Sequence, residues 1–133
     1  MPGWATVELD RAEHELRSPA GPSRLAAADR AADDAIDVAT DHLLGARARL
    51  VGLERDRRVV LLEPSTEGPL AAALARHGEG WLAAYLLAAP GAAARVRGAG
   101  HRLSAPGRGP FGVQRRVLVG RRDGPFILLV ERD

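Results

Sequence analysis

Apolar and polar side chains alternate at the start of the chain. Ala5, Val7 and Leu9 fall on one side, with Trp4, Thr6, Glu8 and Asp10 on the other. A period of two predicts a strand over 4–10. Residues 11–16 follow as a short helical turn, and Ser18-Pro19-Ala20-Gly21-Pro22 as a loop. Residues 25–44 also fit one long Ala-rich helix. A short strand at 24–29 followed by a helix over about 33–44 is preferred, because Ile36, Ala39, Leu43 and Leu44 recur at helical spacing. Gly45 then stands where a C-terminal cap is wanted.

Residues 47–53 and 58–62 predict a hairpin turning at 54–57, and Val59-Val60-Leu61-Leu62 reads as a central strand. The run from Pro64 to Pro69 ends it. A short helix over 69–76 closes at His77-Gly78-Glu79-Gly80. Residues 81–88 predict a strand, and 90–99 a helix with Pro at its start and Gly100 past its end. Residues 101–103 begin a strand, 104–110 form a Gly/Pro loop, and 111–120 with 125–131 form a hairpin turning at Asp123-Gly124. The order strand, helix, strands, linker helix, then strand, helix, strands is an internal repeat of topology. The expected class is therefore α+β: one domain over 1–133, with an N-terminal module at 1–64, a linker helix at 65–80 and a C-terminal module at 81–133.

Composition changes this picture little. At 133 residues and 46% hydrophobic, the chain is long enough to bury a real core. It has no cysteine, which removes disulfides, thiolate metal sites and cysteine nucleophiles together. No apolar stretch reaches the roughly 20 residues of a membrane helix. The start Met1-Pro2-Gly3-Trp4 shows no basic segment leading into an apolar run, so a cytoplasmic address is expected. The pI near 10.3 overstates basicity. All 19 basic residues are Arg and the net charge is only +2. Arg115-Arg116 and Arg121-Arg122 read as solvated edge and turn residues, so no nucleic-acid partner is expected. The histidines, His14, His42, His77 and His101, are scattered at no metal-binding spacing.

Several stretches, in this order, carry a family resemblance: Ala32-Asp33-Asp34-Ala35-Ile36 running on to Leu43-Leu44-Gly45-Ala46; Val59-Val60-Leu61-Leu62-Glu63-Pro64; Pro69-Leu70 through Gly78-Glu79-Gly80; and Ile127-Leu128-Leu129-Val130-Glu131. Over about 23–132 the chain resembles the vicinal oxygen chelate superfamily, which includes glyoxalase, methylmalonyl-CoA epimerase and bleomycin-resistance proteins. The resemblance implies paired βαβββ modules curled around a shared pocket. Only two strands lie between Gly45 and Pro64 where the family has three, so the strand at 4–10 is expected to be an extra one, available for the vacant edge.

The superfamily's metalloenzymes hold a divalent metal with one ligand from each of four strands, commonly His, Glu, His, Glu. The resemblance places the two Glu positions on Glu63 and Glu131 and the two His positions on Arg24 and Ala83. Arg24 carries a fixed positive charge and no lone pair, and Ala83 has no donor atom, so no metal or other cofactor is expected. If Glu63, Ala83 and Glu131 point inward, strand alternation brings Leu61, Trp81, Tyr85 and Leu129 with them. Such a pocket suits an organic molecule with one polar end, held by Arg24, Leu61, Trp81, Ala83 and Leu129. The same residues also fit a plain core. The leading expectation is a metal-free small-molecule-binding protein that sequesters an antibiotic or metabolite. The alternative is a metal-independent isomerase, epimerase, cyclase or lyase, with Glu63 or Glu131 as general base and Tyr85 donating to an oxyanion. A homodimer is expected from pairing of exposed strand edges.

Overall fold

The computed structural model describes residues 1–17, 35–53, 56–118 and 125–132. Among them it is α+β, with three helices and a strongly curled mixed sheet of nine strands. The first half comprises β1 (Pro2–Ala5), α1 (Leu9–Arg17), β2 (Ile36–Asp41), β3 (Ala46–Gly52) and β4 (Arg58–Pro64). After α2 (Pro69–His77) come β5 (Gly80–Ala88), α3 (Ala92–Gly98), the short strands β6 (Arg102–Leu103) and β7 (Gly107–Gly109), then β8 (Gly112–Leu118) and β9 (Phe126–Glu131). The strand order is β2-β3-β4-β1-β5-β9-β8-β6, with β7 also paired to β8. The halves mirror each other. β1 runs parallel to β4 and β5 parallel to β9, and the antiparallel pair β1–β5 joins them.

The N-terminal region departs from the alternation read in its sequence. The strand stops at Ala5 and a helix starts at Leu9, because Glu8 caps it. The Glu8 carboxylate accepts the amides of Asp10 (3.1 Å) and Arg11 (2.6 Å). Leu9, Ala12 and Leu16 then form one apolar stripe against Val51, Leu53, Val59 and Leu61. Nor is this strand an added edge. It lies between β4 and β5, in the middle of the sheet, and gives the first half a full strand–helix–three-strand complement.

The helix expected over 33–44 is corrected to a strand at Ile36–Asp41. Ile36, Val38 and Thr40 place β-branched residues at every second position, which suits a pleated strand better than a helix. Pairing with β3 (Ile36 to Leu50, Asp37 to Arg49, Val38 to Ala48) overrides the helical spacing. Asp41 closes the strand by accepting the amides of Leu43 (3.0 Å) and Leu44 (2.9 Å) on one carboxylate oxygen. The strand expected at 24–29 lies outside the described residues, as does the turn at 121–124.

Alternation along the strands divides the sheet into two faces. The outer face carries α1 over β3 and β4, and α3 against Leu129 of β9. The inner face packs Ala5, Val60, Leu62, Tyr85, Leu128 and Val130 with Leu70 and Ala73 of α2. The curl brings the two ends of the sheet together. The His42 amide, just past β2, donates to the Arg108 carbonyl of β7 at 2.8 Å. Leu43 fills the space that a Cβ on Gly107 would need. The inner face is thereby wrapped into the main core.

Candidate functional site

The two faces sort the residues expected to share one pocket. On β4, Val59 and Leu61 point to the outer face beneath α1, and Glu63 shares their parity. Its carboxylate accepts the Leu9 amide at 3.3 Å, at the first turn of α1, and lies 3.9 Å from the Arg47 guanidinium. On β9, Leu129 packs under α3, and Glu131 accepts the Ala93 amide in the first turn of that helix. Each carboxylate thus answers a backbone N–H that the helix cannot pair internally.

On β5, Ala83 and Tyr85 belong to the inner face. Trp81 does not join them. Ala83 pairs with Gly3 and Trp81 with Trp4, which leaves Leu82 without an opposite residue and shifts the register. Trp81 meets Trp4 edge to face, with ring centroids 4.8 Å apart, and remains 46% exposed. Trp4 itself packs against the outer cluster under α1. The structure therefore brings Ala83 and Tyr85 together inside, and places Leu61, Glu63, Trp81, Leu129 and Glu131 on the other face. Arg24 lies outside the described residues.

The polar chemistry of the inner face comes mostly from residues that sequence reasoning did not select. The Tyr85 hydroxyl donates to the second Asp41 carboxylate oxygen at 2.6 Å, and both residues are fully buried. Burial, then the Asp41 charge, then the hydrogen bond itself hold the Tyr85 phenol protonated far above its ordinary range. Phe111, at the tip of the β7–β8 hairpin, meets the Tyr85 ring edge to face at 5.4 Å. Arg116 lies over the Phe126 ring at 4.6 Å. Gln114 pairs in register with Val130 and is buried to 1% exposure, yet neither its Oε1 nor its Nε2 has a hydrogen-bond partner among the described residues. It lies across Gly109, where a Cβ would run into its amide.

A sequence signal existed only for part of this set. Gln114 is the one glutamine of the chain, and Gly107, Gly109 and Gly112 punctuate the segment before it. Nothing in the sequence marks Asp41 as buried.

The inner face does not fit a divalent metal held by one donor from each of four strands. The central strands offer Gly3 and Ala5, Val60 and Leu62, Ala83 and Tyr85, and Leu128 and Val130 there. Only Tyr85 among these has a donor atom, and its proton is committed to Asp41. No group of three or more His, Cys, Asp or Glu is placed to hold a metal among the described residues. No helix among them is long and apolar enough to cross a membrane.

Two open grooves are also present, the first of which reaches Gln114. One of about 240 Å³, beside α3, is lined by Ala93, Val113, Gln114, Arg115, Leu129 and Glu131. Another of about 350 Å³ lies between Val7, Pro64, Ser65 and α2.

No known family profile and no curated protein match the chain. In fold it is similar to the crystal structure of hypothetical protein BH1468 from Bacillus halodurans C-125. The TM-score is 0.71 and the identity 17%, over 99% of this chain and 91% of that one. Similarity at that identity establishes a shared fold.

Proposed function

We propose that this chain is a metal-free small-molecule-binding protein of the vicinal oxygen chelate superfamily, with its site on the inner face where the two halves meet. The family part of the reading draws on the doubled strand–helix–strands order, with the central strands of each half parallel. The binding part is carried by one observation, the buried Gln114 amide with both polar atoms unpaired. Native proteins pair nearly all buried polar groups, so an unpaired amide near the seam between the two halves supports a place there for a polar group of another molecule. Tyr85 and Phe111 form an aromatic pair on the same face.

The test is a fragment screen read by amide chemical shifts in 15N-labelled protein. Binders that move Tyr85 and Gly109 together with Gln114, and leave Ala93 and Leu129 of the groove beside α3 unmoved, support the reading. Binders confined to the two open grooves overturn it.

A second reading takes support from the groove beside α3, which combines Glu131 and Arg115 over apolar Leu129 and Ala93. There a metal-independent isomerase, epimerase, cyclase or lyase would use Glu131 as general base. Loss of turnover in Glu131→Gln with binding retained would select this reading over the first.

A further inference from the structure

Among the polar groups of the inner face, Gln114 differs from its neighbours. Asp41 accepts two backbone amides and the Tyr85 hydroxyl, so its oxygens are satisfied. Arg116 has the Phe126 ring. Gln114 alone of these three presents two open valences of opposite kind, an acceptor oxygen beside a donor nitrogen.

We propose that Gln114 reads the ligand, and that the ligand carries the complement of a primary amide: a cis-amide edge, as in a lactam or cyclic imide, on a flat uncharged ring. This rests on the small-molecule-binding reading above and specifies its chemical class. An adjacent donor and acceptor on the ligand answer both atoms of Gln114 at once, whereas an ether, an ester or a hydrocarbon leaves one or both unanswered. Charge is disfavoured because an ion taken into a core is costly, and Asp41, the acidic group of this face, already accepts three hydrogen bonds. A flat ring suits the aromatic surface that Tyr85 and Phe111 share.

The glycines provide a route. Gln114 lies against β7, whose approach depends on Gly107 and Gly109, because a Cβ at either position would run into Leu43 or Gln114. The backbone bond from His42 to Arg108 fastens that strand to the end of β2. Lifting β7 from this seam bares the Gln114 amide. Phe111, on the same hairpin, moves with it and frees the Tyr85 ring.

The experiment titrates 2-pyridone, N-methyl-2-pyridone, benzoate and toluene into the 15N-labelled full chain, wild type and Gln114→Leu, and follows the amides of Gly109, Gln114 and Tyr85. The expected result is binding of 2-pyridone at these amides, weakened about tenfold or more by N-methylation and by Gln114→Leu, as loss of a buried hydrogen-bond pair requires. The substitution should leave N-methyl-2-pyridone unchanged. If toluene or N-methyl-2-pyridone binds the wild type at these amides as well as 2-pyridone does, the inner site stands and the assigned ligand class falls. Benzoate binding most tightly there has the same consequence. If no probe moves these amides, both this inference and the binding reading fail, and a raised Tm in Gln114→Leu then shows the amide to be only an imperfection of the core.

Discussion

Glu63 and Glu131 hold equivalent places in the two halves. Each stands near the end of the strand that pairs in parallel with its half's first strand, and each accepts a backbone N–H from the opening turn of that half's helix, Leu9 in α1 and Ala93 in α3. The repeat is therefore one of side-chain roles as well as of topology. Replacing either by Gln keeps an acceptor but removes the charge that the helix terminus favours. Each change should cost about 0.5–1 kcal/mol in chemical denaturation, and Ala at either position about 1–2 kcal/mol. Unchanged stability in all four variants would show that these carboxylates do not hold the helices.

The Tyr85–Asp41 pair ties β5 of the second half to the end of β2 in the first. Tyr85→Phe keeps the ring and its contact with Phe111 but leaves a buried carboxylate oxygen one donor short. The expected cost is about 1–3 kcal/mol. Asp41→Ala should cost more, since it also strips the turn at Leu43 and Leu44. A double-mutant cycle between the two should return a coupling of about 1 kcal/mol or more, and an additive result would contradict a direct bond.

Gly109 and Gln114 occupy one space. Gly109→Ala drives a methyl into the Gln114 amide and should destabilise the fold by about 1–3 kcal/mol. In a Gln114→Ala background that space is empty, and the same substitution should cost far less. Equal penalties in both backgrounds, read by equilibrium denaturation, would place the strain elsewhere.

Acid sensitivity has an identifiable source. Hydrogen bonding from Arg49 holds the Asp37 carboxyl below its usual range. Burial pushes Glu79 up, but hydrogen bonds from Thr6 and Arg11 more than offset it, so it too lies below. Both groups bind fewer protons folded than unfolded. Their stabilisation is complete above the ordinary carboxylate range, about pH 4, and is lost as pH falls through the depressed folded values. Stability should stay level from pH 7 to about 5 and decline below about 4. Arg49 also contacts Asp10 (2.7 Å) and Glu13 (3.0 Å), so Arg49→Met leaves three carboxylates without their shared cation. That variant should be less stable at neutral pH with a shallower acid limb, as measured by Tm against pH. A parallel downward shift at every pH would overturn this assignment.

Much of the second half was legible because its signals agree. Gly100 and the Val- and Leu-rich strands mark boundaries by local chemistry alone, and the strands at Gly80–Ala88 and Phe126–Glu131 fall where the pattern puts them. The first half was misread where two periodicities overlap. Ile36, Val38 and Thr40 argue for a strand, while Ile36, Ala39 and Leu43 argue for a helix, and only pairing with β3 decides. The candidate site was hardest to read because facing depends on parity. A single unpaired residue, Leu82, reverses Trp81 relative to Tyr85. The burial of Asp41 and Gln114 follows from the curl of the sheet, which no local pattern records.

β1 has a kinetic consequence. The half-sheets β2-β3-β4 and β5-β9-β8-β6 meet through its four residues, since β4 and β5 each pair with β1 and not with each other. Those residues are made before their partners, and Gly3 finds them only when Val60 and then Ala83 have been added. The middle of the sheet is thus its most non-local part, and the entropy of closing two long loops falls on the same short strand. A nascent chain carries an unmatched Pro-Gly-Trp-Ala segment until both partner strands have been made, and the two halves become one cooperative unit only when that segment is finally clasped from both sides.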